Sequence, residues 1–269
     1  MTLSEGSTSY PLATLKKSKH GSAVIYELEL HNRPDNRLTT DFINDSILPA
    51  LDAVERDWRA DAAKQDGGAA ALITYGPRDK DRFYSNGLDL PKAMTTHLFF
   101  PRVLNALLGR FLTFPIPTIA AINGHCFAGG FTLALAHDFR VMKQAEGKAQ
   151  IWCALNEIDF GANLPAGMMA IAKAKITDAT ALRTIALEGQ RIGAQQALQF
   201  RIVDEVGKDG QEVVNKAVQI GIKDAPKAKQ QAWGLIKAGM YKEAIVELAI
   251  DRGNDGLGMH ARIGGGAKL

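Results

Sequence analysis

The chain has 269 residues, 46% of them apolar and 23% charged, with 26 Gly, 10 Pro and 2 Cys. That composition excludes collagen-like, coiled-coil and intrinsically disordered chains, and the length suffices to bury a large core without disulfides. The net charge of +3 comes from 32 basic and 29 acidic side chains scattered along the chain, so there is no basic stripe for a nucleic acid, and no apolar run approaches the roughly 18 residues of a membrane span.

Residues 1–20 are polar, expected to be loosely held, and carry no apolar stretch of a secretory signal; a soluble, intracellular protein is expected. Val24 to Leu30 alternates apolar and charged residues, the period of a half-buried strand, and the His31 to Asn36 turn ends it. Thr39 or Thr40 then caps a helix with Phe42, Ile43, Ile47, Leu51 and Val54 at helical spacing. Ala69 to Tyr75 is a second, more buried strand, followed by a polar loop and the short turn Phe83 to Leu90. A helical stretch from about Phe99 to Phe111 precedes a third strand, Thr118 to Ile122.

The glycine-rich turn Asn123 to Gly130 follows, and Phe131 to Ala136 resumes as a buried helix. Strand, glycine turn and helix make a backbone anion site, because free N–H groups at a helix start face approaching negative charge. Glycine before a helix also serves tight packing, and the pattern alone leaves both roles open. Beyond it the sequence predicts strands at Phe139 to Met142 and Ala149 to Ala154, and a loop carrying Glu157 and Asp159. Helices follow at about Pro165 to Lys175, Thr177 to Glu188 and Ala194 to Gln199, with a late strand at Ile202 to Val206. From Gln211 to Asp251 the pattern is nearly all helical. The fold class expected is α/β, with a core over residues 1–206 and a helical C-terminal region over 207–269. Cys126 and Cys153 lie in apolar stretches and are expected to be reduced core thiols.

Chemistry is narrowed by elimination. The sequence has no G-x-S-x-G elbow, no H-E-x-x-H, no cysteine pair at zinc spacing, no P-loop and no G-x-G-x-x-G fingerprint, and its six histidines show no metal-ligand spacing. What remains is the glycine turn and Glu157, flanked by Leu155, Asn156 and Ile158, whose apolar neighbours can desolvate the carboxylate into a general base. A surface or helix-capping glutamate has the same local sequence, and Asp159 suits a loop aspartate bonded to its own backbone.

Several segments, in order, resemble the crotonase or enoyl-CoA hydratase/isomerase superfamily. They are Asn32-Arg33-Pro34; Phe83 to Leu90; Pro117 to His125, continuing through Ala128-Gly129-Gly130 to His137-Asp138; and Ala194 to Leu198 followed by Ile202 to Val206. The resemblance implies a spiral of repeated strand-strand-helix units. It also implies a helical C-terminus that forms a homotrimer or dimer of trimers, and a coenzyme A thioester whose carbonyl sits in an oxyanion hole. By motif position the donors are the backbone N–H groups of Leu88 and Gly129, each worth about 3 kcal/mol to an enolate-like transition state. Ser85, Asn86, Gly87, Leu88 and Asp89 are then the substrate-binding turn. Coenzyme A belongs to the substrate; no separate cofactor and no metal are expected.

The acids select a branch. Thr132 occupies the place of the first hydratase glutamate, and Thr132 and Pro165 those of the two dienoyl-CoA isomerase aspartates; Glu157 is retained. One carboxylate over an oxyanion hole resembles the Δ3,Δ2-enoyl-CoA isomerase branch, with Glu157 moving the proton. Arg33, Arg78, Lys80 and Arg82 are candidates for the nucleotide end, though a solvated loop explains them equally. Phe99, Phe100, Phe127, Leu164 and Met168 are pocket or core residues. Ala267, Lys268 and Leu269, after three glycines, are a variant of the Ser-Lys-Leu peroxisomal address, giving an import receptor as partner and a role in β-oxidation. Two alternatives stand beside this: a hydratase or dehydratase of a specialised acyl-CoA in secondary metabolism, with Asp159 as second acid, and a silent acyl-CoA- or RNA-binding member. An intact Glu157 argues against silence.

Overall fold

The computed structural model describes residues 3–77, 82–145 and 147–251. The strands are β1 Gly6–Tyr10, β2 Ala13–His20, β3 Ala23–Leu30, β4 Ala70–Tyr75, β5 Phe83–Ser85, β6 Thr118–Ile122, β7 His125–Phe127, β8 Phe139–Lys143, β9 Cys153–Ala154 and β10 Glu205–Gly207. The helices are α1 Thr40–Phe42, α2 Leu48–Ala62, α3 Leu90–Thr95, α4 Asn105–Leu112, α5 Gly129–Ala136, α6 Ala166–Lys175, α7 Ala179–Leu182, α8 Ala194–Gln199, α9 Gly210–Asp224, α10 Trp233–Met240 and α11 Lys242–Ala249.

The strands form a seven-stranded sheet, ordered β1-β2-β3-β4-β6-β8-β10, and a three-stranded sheet, ordered β5-β7-β9. From β3 onward all neighbours are parallel. Each circuit of the chain therefore adds one strand to the large sheet and one to the small: β4 then β5, β6 then β7, β8 then β9. This is the α/β spiral expected.

Parallel strands covered on both faces carry apolar residues throughout, as β4 and β6 do. Period-two alternation sends Tyr26, Leu28, Leu72, Ala120 and Ile122 into the main core, and Ile25, Ala71, Ile73, Ile119 and Ala121 toward a second cluster. There they meet Val213, Val214, Ala217 and Ile220 of α9, while Gly221 lets the helix approach so closely that a Cβ would lie 3.3 Å from Ala71 and from Ile25. Helix α5 is buried on every side, which explains why Thr132 is its one polar side chain and bonds back to Ala128 O.

The N-terminal residues are more ordered than their polarity suggests, because β1 and β2 form an antiparallel hairpin on β3. Only Ala13 and Leu15 of this hairpin are buried, too few to register as a periodic signal. A polar tie completes the attachment: buried Asp57 accepts from Leu3 N at 2.7 Å and Tyr26 Oη at 2.6 Å and pairs with Lys17 at 2.6 Å.

The C-terminal helices are pinned by a buried ion pair. Lys237 Nζ lies 2.8 Å from Asp138 Oδ1, and Asp138 also accepts from Trp233 Nε1 at 3.0 Å and Thr118 N at 2.9 Å. Neighbouring His137 donates from Nδ1 to Leu133 O and takes the Thr74 hydroxyl on Nε2, and burial pushes its pKa down to about 3. The His137-Asp138 pair is thus used inside the fold. Cys126 and Cys153 are buried, free and opposite one another on β7 and β9. Among the described residues, no helix is long and apolar enough to cross a membrane, and no cluster of His, Cys, Asp and Glu could hold a metal.

Candidate active site

A cavity of about 340 Å³ opens at the C-terminal ends of the small sheet's strands. Its lining comes from the segments that follow β5 (Asn86, Leu88, Leu90), β7 (Phe127, Ala128) and β9 (Asn156, Glu157, Phe160), closed by Pro165 and Met168 at the start of α6. Loops at strand ends are free of ladder hydrogen bonds and can carry chemistry.

Two glycine-dependent loops meet on one wall. Gly87 has φ +79°, and a Cβ there would lie 3.0 Å from both Ala128 Cβ and Phe127 O and 3.4 Å from Gly129 N. A Cβ on Gly129 would reach 2.9 Å from Leu88 Cδ2, and one on Gly130 2.6 Å from the Ser85 carbonyl and side chain. Before them Ala128 adopts φ 51°, ψ −124°, a strained conformation for a residue with a side chain. The Gly87-Leu88 segment and the start of α5 are therefore in direct contact. Gly129 is the first residue of α5, so its N–H has no acceptor within the helix, and among the described residues the Leu88 N–H has no backbone partner. Of the two roles left open in the sequence, close packing is the one these glycines serve in the fold.

The first crossover holds this wall in place. Leu38 N donates to Gly87 O at 2.7 Å, Asn86 N to Asp35 O at 2.9 Å, Ser85 Oγ to Asn36 O at 2.7 Å and Asn86 Nδ2 to Asp35 Oδ2 at 2.7 Å. Buried Asn36, at φ 54°, donates from Nδ2 to Leu30 O at 2.9 Å and Tyr84 O at 3.1 Å.

Glu157 begins a 3-10 turn, Glu157–Phe160, and is 5% exposed. Its Oε2 is buried without a hydrogen-bond partner. Burial among apolar side chains raises its pKa to about 7, against the lesser opposing effect of its own backbone N–H. A carboxyl poised there can accept a proton and return it. The site therefore combines a desolvated acid, an apolar chamber and a tightly packed glycine wall.

Of the turn assigned to substrate, Asn86 and Leu88 line the cavity with Gly87 between them, but Ser85 is buried beneath and spends its hydroxyl on Asn36 O and Gly87 N. Asp89 turns away to cap α3, accepting from Lys92 N at 3.4 Å, and lies against a neighbouring hollow with Thr39 and Phe99. Phe127 and Met168 line the cavity, whereas Phe99 and Phe100 pack edge-on in the core and Leu164 packs against it. Asp159 is exposed beside Gly189, outside the lining. Thr132 is buried and its hydroxyl is bonded to Ala128 O at 3.3 Å.

Arg33 is exposed away from the cavity and Arg82 sits over the Phe83 ring at 5.5 Å. Arg78, Lys80, Ala267, Lys268 and Leu269 lie outside the described residues. Sequence analysis missed Arg37, Leu90 and Phe160. Arg37 and Leu90 each adjoin a segment singled out there, but the parallel bridge between Leu38 and Leu88 that joins those segments is long-range.

Fold and site together define a class of protein: a spiral α/β fold with a buried carboxyl on the wall of an apolar cavity. Residues 20–249 match the enoyl-CoA hydratase/isomerase family, and the chain belongs to that family. It is 33% identical over 225 residues to the peroxisomal enoyl-CoA delta isomerase 2 of Arabidopsis thaliana, covering 78% of this chain and 87% of the relative. It is 30% identical over 217 residues to a probable enoyl-CoA hydratase of Bacillus subtilis (strain 168), covering 78% and 76%. Among solved structures it superposes on the enoyl-CoA hydratase EchA3 of Mycobacterium ulcerans Agy99 with a TM-score of 0.71 at 24% identity, over 90% of this chain and 96% of that one; that likeness concerns the fold.

Proposed function

We propose that the protein is an isomerase that moves the double bond of 3-enoyl-CoA thioesters to the 2-trans position, with Glu157 as sole acid/base. Glu157 takes a proton from C2 of the thioester; the electron pair spreads through the C3–C4 double bond and onto the carbonyl oxygen, which the Leu88 and Gly129 N–H groups stabilise. The same carboxyl then delivers its proton to C4, leaving the double bond between C2 and C3. Proton and charge balance without water.

The observation that carries this reading is the buried Glu157 carboxyl in the cavity, whose Oε2 has no hydrogen-bond partner, with Thr132 tied to its own helix where a hydratase would need a second acid. Relatives named as isomerases support it. The Bacillus relative keeps hydration in view, but exposed Asp159 is badly placed to activate water for this cavity.

The test is conversion of 3-hexenoyl-CoA to 2-hexenoyl-CoA, with hydration of 2-hexenoyl-CoA assayed in the same preparation. Glu157→Gln should lower isomerisation by about a thousandfold, within the usual range for a general acid–base. Dominant hydration, or a Gln variant as active as the parent, would overturn the reading. Peroxisomal β-oxidation belongs to the same proposal, supported by the Arabidopsis relative's name; a fluorescent fusion with and without Ala267, Lys268 and Leu269 tests it. A homotrimer or dimer of trimers does too, and light scattering during gel filtration measures it.

A further inference from the structure

The polar side chains that line the cavity are Arg37, Asn86, Asn156 and Glu157. Arg37 is held by Asp35, its Nε donating to Oδ2 at 3.0 Å, and Asn86 donates from Nδ2 to the same oxygen at 2.7 Å. Glu157 is the proposed acid/base. Asn156 is half-buried, and among the described residues its side-chain amide has no hydrogen-bond partner. Its place in the chain makes that unusual. Asn156 stands at the N-cap of the 3-10 turn Glu157–Phe160, where an asparagine ordinarily accepts from a backbone N–H of the first turn. With φ −101° and ψ 27° it makes no such bond, and its amide is left to the cavity.

An acyl chain that fills the cavity removes this amide from solvent. A hydrocarbon offers no donor or acceptor in exchange, so the amide bears its full desolvation penalty. A hydroxyl on the chain accepts from Nδ2 and donates to Oδ1, the complement of a primary amide. The walls around it, Leu90, Phe160, Pro165 and Met168, are apolar and cannot distinguish an oxygenated chain from a plain one by hydrogen bonding. Consecutive Cα atoms are about 3.8 Å apart, so a group bound by Asn156 lies close to the carbons between which Glu157 moves the proton.

We propose that Asn156 selects 3-enoyl thioesters that carry a hydroxyl one or two carbons beyond the double bond, by hydrogen-bonding that hydroxyl. This rests on the isomerase reading and names a substrate class within it. Asn156 determines which chain is preferred; Glu157 still transfers the proton.

The experiment measures kcat/KM of wild type, Asn156→Leu and Asn156→Ala on 3-hexenoyl-CoA and on its 5-hydroxy and 6-hydroxy derivatives. Wild type should favour at least one hydroxylated chain over the plain one by about tenfold, the scale of one hydrogen bond. Asn156→Leu keeps much of the volume without a polar atom, and the ratio should fall to about one; Asn156→Ala should bring it to the same value. A wild type without preference, or a preference that survives in either folded variant, would overturn the proposal. The second result includes an equal loss on all three substrates, which would place Asn156 against the part common to every thioester, the carrier arm.

A chain that turns over none of the three would refute the isomerase reading and leave the selection testable by calorimetry. Hexanoyl-CoA, 5-hydroxyhexanoyl-CoA and 6-hydroxyhexanoyl-CoA would each be titrated into wild type and Asn156→Leu. Binding of a hydroxylated chain about tenfold tighter than hexanoyl-CoA in wild type, with no such difference in the variant, supports the selection. Equal affinities in wild type, or a difference that the variant keeps, overturn it. Matching thermal unfolding of the proteins excludes a folding defect as the cause.

Discussion

The two walls of the cavity are built on opposite plans. The amide wall, from Asn86 to Leu88 and from Ala128 to Gly130, is joined to the first crossover by three hydrogen bonds and packed so tightly that glycine is required. The acid wall is one short 3-10 turn in which buried Glu157 is followed by exposed Ile158, Asp159 and Phe160. The contrast follows from what each group contributes. An N–H donor cannot change its pKa to suit the reaction, so its effect depends on placement within a fraction of an ångström. A carboxyl is tuned by desolvation, for which apolar neighbours suffice.

That division can be attacked from either side, and the largest effect is expected on the amide wall. Gly130→Ala places a methyl group 2.6 Å from the Ser85 backbone carbonyl, forcing α5 away from β5. Activity should fall at least about a hundredfold, the loss from one misplaced donor, with far-ultraviolet dichroism unchanged; an active Gly130→Ala enzyme would show that the amide alignment is not needed.

On the acid wall, kcat/KM should rise with pH along a limb with a midpoint near the raised pKa of about 7, losing about tenfold per pH unit below it. A limb centred in the ordinary carboxylate range would mean that Glu157 is not desolvated during turnover.

Stability should show the same group with the opposite sense. The folded state holds the Glu157 proton more tightly than the unfolded chain, so the contribution is complete below the ordinary carboxylate value of 4.5 and is lost as pH rises through about 7. Glu157→Gln removes that loss: its melting temperature should exceed the parent's at pH 8, by an amount worth about 3 kcal/mol, and match it near pH 4. Equal melting at both pH values would break the argument.

The smallest effect belongs to the neighbouring acid. Asp159→Asn should change isomerisation by less than about twofold, as for a surface substitution. A larger loss would revive the hydratase alternative and its second acid.

Glu157, the glycine turn and the large-sheet strands β3, β4, β6 and β8 were legible in the sequence, because each depends on neighbours within a few residues, whereas β5 and β7, three residues each, were read as turns. The β1-β2 hairpin was not, because only Ala13 and Leu15 of it are buried and its attachment runs through Asp57. The strand predicted at Ala149 to Ala154 shrinks to Cys153–Ala154 after a 3-10 turn, Gly147–Ala149. That predicted over Ile202 to Val206 forms three residues later in its start, as Glu205–Gly207. Both are short parallel strands whose limits are set by a partner, β7 or β8, rather than by their own composition.

The substrate-binding turn divides in the same way. Ser85 and Asp89 sit beside Asn86 and Leu88 in sequence, yet the strand conformation of β5 turns Ser85 inward and the start of α3 takes Asp89 as its cap. Arg37 is the converse, a cavity residue almost fifty positions before Asn86 in the chain.

By itself the sequence determined the α/β class, the glycine-bearing loop before α5 and the identity of the one acid, since periodicity, backbone freedom and residue chemistry are local properties. Only the tertiary structure decided that the Gly87 loop packs on the start of α5, that Glu157 is buried and that Arg37 reaches the cavity. Distance and dielectric are properties of the packed molecule, set by segments far apart in the chain.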